Sequence, residues 1–187
     1  MSRVVPVSQW SRFEVVRGAA PEDVEQLHAA CEELVFQPGE IVLASGHHER
    51  ALWFLVLGNA RIAIDIPGQG RQRISEISGG SVVGEVSFLH AASHSATVTA
   101  ESACTFLRLG RHRFDQLAGA CPALTSRLVL NIAELLAARL QAVDQWMIEW
   151  LTTAQESRLR DRAEQLREAF AMRSPATSVF LGLNWNS

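Results

Sequence analysis

The stretch Gly79–Ala100, GGSVVGEVSFLHAASHSATVTA, decides how the rest of the chain is interpreted. A short apolar run follows Gly79, Gly80 and Gly84, and this pattern predicts a tight turn that leads into a brief helix with exposed amides. Such amides attract anions. Glu85 stands beside them, and a carboxylate there suits a ligand that also offers a donor, such as a sugar hydroxyl. The pattern therefore predicts a cradle for a ligand with both phosphate and ribose.

The same stretch resembles the phosphate-binding cassette of cyclic nucleotide-binding domains. The resemblance lies in Gly84–Leu89 and, after a short loop, in Ser95–Ala100. Turn residues outside the cassette fall where that family places its own, and the likeness extends from about Leu34 to Leu140. These turn residues are Pro38-Gly39-Glu40, Gly46, Gly58 and Gly80.

The resemblance implies a cyclic nucleotide, cyclic AMP or cyclic GMP, as the ligand. The residues that would hold its phosphate and ribose are Gly84, Glu85, Val86, Ser87, His94, Ser95 and Ala96. The expected base contacts are Ile74, Val143 and Asp144, where the Asp144 carboxylate would accept a hydrogen bond from an exocyclic amine.

One position departs from the family pattern. Members that bind a nucleotide carry an arginine just before the Ser-Ala pair, and this chain has His94 there. Arginine offers a permanent charge and several fixed donors, whereas histidine has at most two donors and an ordinary pKa of about 6.5. Losing a charge-assisted hydrogen bond costs roughly 1.5 to 3 kcal/mol, although a bound phosphate could raise the pKa of His94 and recover part of this loss.

Two functions therefore stay open. In the first, the chain is a regulatory sensor in which a nucleotide binds the cassette and the C-terminal helix transmits the signal to a protein partner. In the second, it is a nucleotide-free interaction module, a dimeric scaffold that keeps its glycines for backbone geometry alone. Glu85 favours the sensor because a buried carboxylate without a ligand is costly, whereas His94 favours the scaffold.

Short apolar runs separated by turn residues surround the cassette and predict an α+β fold. We expect a jelly-roll-like β barrel of about eight short strands, a short N-terminal helix and a long C-terminal helix followed by a helical extension. In the hairpin after Gly58, Ile62, Ile64 and Ile66 are expected on the buried face and Ala63 on the exposed one. The predicted segments are an N-terminal arm (1–20), the nucleotide-binding-like domain with the start of the long helix (21–145), and the C-terminal helical extension with an apolar tail (146–187).

The long helix is predicted from Ala123 to about Leu151, since this segment contains no internal glycine or proline. Apolar residues at near-heptad spacing give it a stripe that either packs on its own barrel or pairs with a second copy of the chain. We expect a homodimer through helix 123–151. The residues of this predicted stripe are Leu124, Leu128, Leu135, Ala138 and Ala142.

Composition narrows the remaining functions. The net charge of −3 over 187 residues offers no basic surface for nucleic acid, and no second recognition helix is evident, so DNA is not the expected partner. No stretch approaches the roughly 18 to 20 apolar residues of a membrane span. Three scattered cysteines and the lack of an apolar leader favour the cytoplasm.

Metal chemistry is the enzyme alternative that the sequence raises. His47, His48 and Glu49 lie in a loop, and His90 and His94 are four residues apart. Adjacent histidines on a strand point to opposite faces, so the pair does not form a chelating set. We therefore expect neither a metal, nor another cofactor, nor a catalytic site.

Overall fold

The computed structural model describes residues 5–153 and Arg167. The chain divides into two units, Met1–Leu135 and Leu136–Ser187, and all of the described strands belong to the first. The elements in chain order are two 3₁₀ turns (Val7–Arg12, Glu14–Val16), α1 (Pro21–Ala30), β1 (Glu32–Phe36), β2 (Ile41–Leu43), β3 (Ala51–Leu57), β4 (Asn59–Ile66), β5 (Gly70–Ser78), β6 (Val82–Val83), α2 (Glu85–His90), β7 (Thr97–Ala100), β8 (Cys104–Gly110), α3 (Arg111–Ala120) and α4 (Pro122–Thr153).

The eight described strands form two antiparallel sheets of four strands, with the orders β1-β8-β3-β6 and β2-β7-β4-β5. This arrangement confirms the predicted α+β class and the predicted number of short strands, although the two sheets stay open rather than closing into one barrel. The two-residue strand β6, which pairs with Trp53 and Phe54, is too short to be recognised from the sequence. It matters because it leads directly into Gly84.

A bulge interrupts the β4–β5 hairpin. The pairing register shifts between Ile62 and Ala63, so that Ile74 of β5 has no opposite residue, whereas β4 keeps an unbroken register with β7. The prediction that Ala63 is exposed was wrong. Because β4 lies between β7 and β5 in its sheet, Ala63, which pairs with buried Thr97, is itself buried, and Ile64 and Ile66 are only half-buried.

The N-terminal segment covers the outer face of β3. Trp10 and Phe13 are buried and their rings contact Phe54, with centroids 4.7 and 5.5 Å away. The Trp10 indole donates a hydrogen bond to Nδ1 of His28 on α1. This bond accounts for the burial of a polar histidine in the core. Because side chains alternate along a strand, Trp53 points to the opposite, inner face of β3.

The predicted apolar stripe of the long helix is only partly correct. Leu124 and Leu128 are 2% and 1% exposed and belong to the core of the first unit, whereas Ala138 and Ala142 are exposed. The start of α4 therefore completes the domain's own core. Among the described residues of its later part, the larger apolar side chains of Leu140, Val143 and Met147 are exposed instead.

The predicted tail and most of the predicted C-terminal extension lie outside the described residues. In the described part of the extension, α4 continues to Thr153. In the part of the chain that the structure describes, no helix has the length and apolar character required to cross a membrane.

Candidate ligand-binding site

The cassette begins at Gly84, which connects β6 to α2. Its φ of +86° lies in the left-handed region, which glycine adopts without strain. A Cβ atom at this position would lie 2.5 Å from the carbonyl oxygen of Ala51 and 3.3 Å from Cδ1 of Trp53. Glycine is therefore required twice, for the backbone angle and for the close approach of the turn to β3.

A chain of hydrogen bonds joins Gly84, Ser87 and His94. The Ser87 hydroxyl donates to the carbonyl oxygen of Gly84 at 3.0 Å, and the same Oγ lies 3.0 Å from Nδ1 of His94. A hydroxyl has a single proton, so a serine that donates to the carbonyl must accept from the imidazole. This assigns the proton of neutral His94 to Nδ1 and leaves a lone pair on Nε2.

The backbone of His94 is held by the turn before β3. His94 donates its amide to the carbonyl of His47 at 2.9 Å, and the Gly46 amide donates to the carbonyl of His94 at 2.9 Å. The next strand is held as well, because the Ser45 amide donates to the hydroxyl of Thr97 at 3.2 Å. The imidazole is thus positioned at both its backbone and its Nδ1 atom before any ligand binds.

Burial dominates the electrostatics of His94, which is 7% exposed. Loss of hydration lowers the pKa of His94 below its ordinary value of 6.5, nearby Glu49 partly counteracts this, and His47 and His48 lower the pKa further. The Glu49 carboxylate is itself paired with the guanidinium of Arg108, with Oε1 2.8 Å from Nε. In the free protein His94 is consequently neutral at pH 7.

Two buried side-chain atoms have no hydrogen-bond partner in the part of the chain that the structure describes. They are Nε2 of His94 and Nε1 of Trp53. Leaving a buried polar atom unpaired is costly, so such atoms in a folded protein require an explanation. Both residues are linked to the turn at Gly84: Cδ1 of Trp53 lies 3.3 Å from the position of a Cβ atom there, and His94 is connected to the Gly84 carbonyl through Ser87.

The remaining predicted contacts of the phosphate and ribose differ in burial. Glu85 is 3% exposed and lies in the first turn of α2, next to Gly84. Val86 and Ser95 are exposed, and Ala96 is half-buried. Of the predicted set, the structure joins Gly84, Ser87 and His94 by hydrogen bonds and buries Glu85, the residue after Gly84.

The predicted base contacts belong to two different units of the chain. Ile74 is 56% exposed at the bulge of β5 in the first unit. Val143 and Asp144 are exposed residues of α4 in the second unit. Their contact with a base stays a prediction.

The sequence pattern does not reveal Trp53 as a candidate site residue. It lies in the continuous apolar run of β3, and such a run indicates core packing without revealing which polar atoms lack partners. The loop histidines His47 and His48 are exposed, and Glu49 pairs with Arg108. Among residues 5–153 and Arg167, no three His, Cys, Asp or Glu side chains are arranged to hold a metal ion.

Sequence comparison shows what the chain is similar to. Residues 33–120 match the family model of the cyclic nucleotide-binding domain. A curated relative, glutaminase 1 of Bradyrhizobium diazoefficiens, is 28% identical over 126 residues, which are 67% of this chain. The matched chain spans only 20% of that glutaminase.

Solved structures share the fold. A cyclic nucleotide-binding domain from Methylobacillus flagellatus KT matches with a TM-score of 0.71 at 22% identity, covering 81% of this chain and 88% of that one. The catabolite activator protein of Thermus thermophilus matches with a TM-score of 0.66 at 24% identity, covering 74% of this chain and 63% of that one. At these identities the likeness is one of fold.

Proposed function

We propose that this chain is a regulatory sensor whose cassette binds a cyclic nucleotide, cyclic AMP or cyclic GMP; the match of residues 33–120 to the cyclic nucleotide-binding domain model supports this proposal. Glu85 would accept a hydrogen bond from the ribose 2′-hydroxyl. The amides of Gly84, Val86 and Ser87, together with Ser95 and Ala96, would surround the phosphate. In this proposal the protein acts by binding, without a catalytic step, in the cytoplasm.

The observation that carries the proposal is the unpartnered Nε2 atom of buried His94. The imidazole is held through Nδ1 and the backbone, so Nε2 is its remaining ring nitrogen for a new contact. Protonation turns Nε2 into a charged donor, which can pair with a phosphate oxygen. His94 can therefore replace the family's arginine, provided that the ligand supplies the charge that keeps it protonated.

The proposed output passes through α4. A ligand that binds better to one arrangement of the chain shifts the population toward that arrangement. In the proposal, Val143 and Asp144 contact the base, so that α4 responds to occupancy of the cassette. An unidentified protein partner would then read the position of this helix.

Calorimetric titration of the full chain with cyclic AMP and cyclic GMP at pH 6 tests the binding proposal. We expect Glu85→Gln, which keeps the shape of the side chain and removes its charge, to weaken binding by at least tenfold. Glu76→Gln is the matched control, because Glu76 is an exposed strand residue paired with Arg73. Absence of heat with both nucleotides at pH 6 and pH 8 would contradict the proposal.

We also propose that the later part of α4 pairs with a second copy of the chain. Leu140, Val143, Met147 and Trp150 are 62%, 51%, 41% and 41% exposed, and they follow one another at intervals of three, four and three residues. This is the heptad spacing of a two-helix seam. Because closed two-fold symmetry is the commonest arrangement of oligomers, a homodimer is the favoured occupant.

The double substitution Leu140→Glu and Met147→Glu tests the dimer. Two charges in the apolar seam are expected to shift the protein from dimer to monomer in sedimentation velocity at about 50 µM, since buried unpaired charges are costly. Gln141→Glu adds a charge away from this seam and should leave the sedimentation coefficient unchanged. A wild-type protein that sediments as a monomer at this concentration contradicts the proposal.

The nucleotide-free scaffold is the second candidate function. It is favoured by the depressed pKa of His94, which leaves the free site without an imidazolium charge at neutral pH. In this case the apolar seam of α4 would be the functional surface. The expected result is a stable dimer that binds neither nucleotide.

A further inference from the structure

Trp53 presents an indole N–H that the folded chain does not use. The residue lies on the inner face of β3 and is 5% exposed, and its Nε1 atom has no partner among the described residues. An indole N–H is a donor only, and when buried it usually finds an acceptor. The missing partner of Trp53 must therefore be an acceptor atom.

The ring of Trp53 is held in a fixed orientation. The ring centroids of Phe36 and Phe106 each lie 6.1 Å from that of Trp53. The guanidinium carbon of Arg108 lies over the ring, 5.7 Å from its centroid. Arg108 is itself held by its ion pair with Glu49. The donor is thus preorganised, and a group that binds it need not pay for ordering the side chain.

The N–H of Trp53 borders the cassette. Its Cδ1 atom, which is bonded to Nε1, lies 3.3 Å from the position of a Cβ atom on Gly84. The other unpartnered buried nitrogen of the described chain, Nε2 of His94, is connected to the same glycine through Ser87. The two residues that carry these unused nitrogens are thus both linked to the turn at Gly84.

We propose that Trp53 is a ligand-contacting residue, whose indole N–H donates a hydrogen bond to an oxygen of the sugar-phosphate bound at the cassette. The proposal rests on the proposed function in that it requires an occupied cassette. A donor that is neutral at every pH complements His94, whose donor at Nε2 exists only when the ring is protonated. Trp53 thereby extends the site from the cassette onto the inner face of β3.

The test combines calorimetry with ¹⁵N–¹H NMR of the full chain and cyclic AMP at pH 6. Trp53→Phe keeps an aromatic ring in the core and removes the donor, and we expect about tenfold weaker binding. The indole resonance that disappears in Trp53→Phe should shift in the wild-type protein when cyclic AMP is added. Trp10→Phe is the matched control, because Trp10 donates to His28 on the outer side of β3. It should bind cyclic AMP as the wild type does.

The two proposals fail in different ways. If the cassette amides shift with cyclic AMP while the Trp53 indole stays in place, or if Trp53→Phe binds with wild-type affinity, the assignment of Trp53 is overturned and the sensor stands. If neither the cassette amides nor the indole respond to cyclic AMP or cyclic GMP, the sensor fails and the assignment falls with it.

Discussion

Replacement of His94 by arginine is expected to raise the affinity for cyclic AMP at pH 8 by about 10- to 100-fold. A guanidinium stays charged at every accessible pH, whereas the pKa of His94 is lowered by burial and its ring is neutral at pH 8. The lone pair on Nε2 of the neutral ring cannot donate to a phosphate oxygen. Calorimetric titrations of wild type and His94→Arg at pH 6, 7 and 8 measure the difference.

The sign of the pH dependence follows from proton linkage. In the free protein the pKa of His94 lies below 6.5, and an anion bound at Nε2 would raise it, because the opposite charge favours the imidazolium. Between these two values the complex holds one proton more than the free protein. Wild-type affinity should therefore fall as pH rises through this window, by at most about tenfold per pH unit, and become constant above the pKa of the complex.

Two controls separate this effect from other titrations. Adenosine lacks the phosphate. Its affinity should therefore not change with pH through the protonation of His94, and it should not increase in His94→Arg. The double variant His47→Asn and His48→Asn removes the exposed neighbours; affinity should still fall with rising pH, but from a slightly higher pH, because both neighbours lower the pKa of His94. A wild-type affinity for cyclic AMP that is constant between pH 6 and 8, or an equal slope in His94→Arg, would exclude the protonated contact. If only His94→Arg binds, the scaffold becomes the favoured function of the natural chain.

Gly84→Ala is expected to lower the free energy of unfolding by about 2–4 kcal/mol and to abolish nucleotide binding. An alanine at φ +86° is strained, and its Cβ would lie 2.5 Å from the backbone oxygen of Ala51, which belongs to a central strand and cannot move aside. The turn would have to shift. That shift would displace the Gly84 carbonyl to which Ser87 donates, and with it the imidazole of His94. Urea unfolding and calorimetry measure the two effects.

Gly68→Ala separates the steric cost from the strain of the backbone angle. Gly68 has a φ of +77°, and nothing lies within 4 Å of the position of its Cβ atom. Its replacement should cost only about 1 kcal/mol, the usual strain of a left-handed alanine, and leave the affinity unchanged. If Gly84→Ala is no less stable than Gly68→Ala and binds cyclic AMP normally, the close approach of the cassette to β3 has no functional role.

The sequence alone predicted the architecture and the turn at which the proposed cassette begins. Strands of period two, interrupted by turn residues, indicated an antiparallel β structure, and the glycine at position 84 marked a turn that adopts a positive φ. Proline at position 122 marked the start of the long helix. These features are local, because turn chemistry and side-chain alternation depend on neighbouring residues. The substitution of His94 for arginine was visible for the same reason.

Only the tertiary structure decided which polar atoms of the site lack partners. The position of the β5 bulge and the burial of Leu124 and Leu128 depend on elements that pair across the fold. The tautomer of His94 depends on Ser87, seven residues away, and the unused N–H of Trp53 borders a glycine 31 positions later in the chain. A one-dimensional pattern shows which face a side chain occupies. It does not show which partner that side chain meets, because hydrogen-bond partners are fixed by the packing of distant segments.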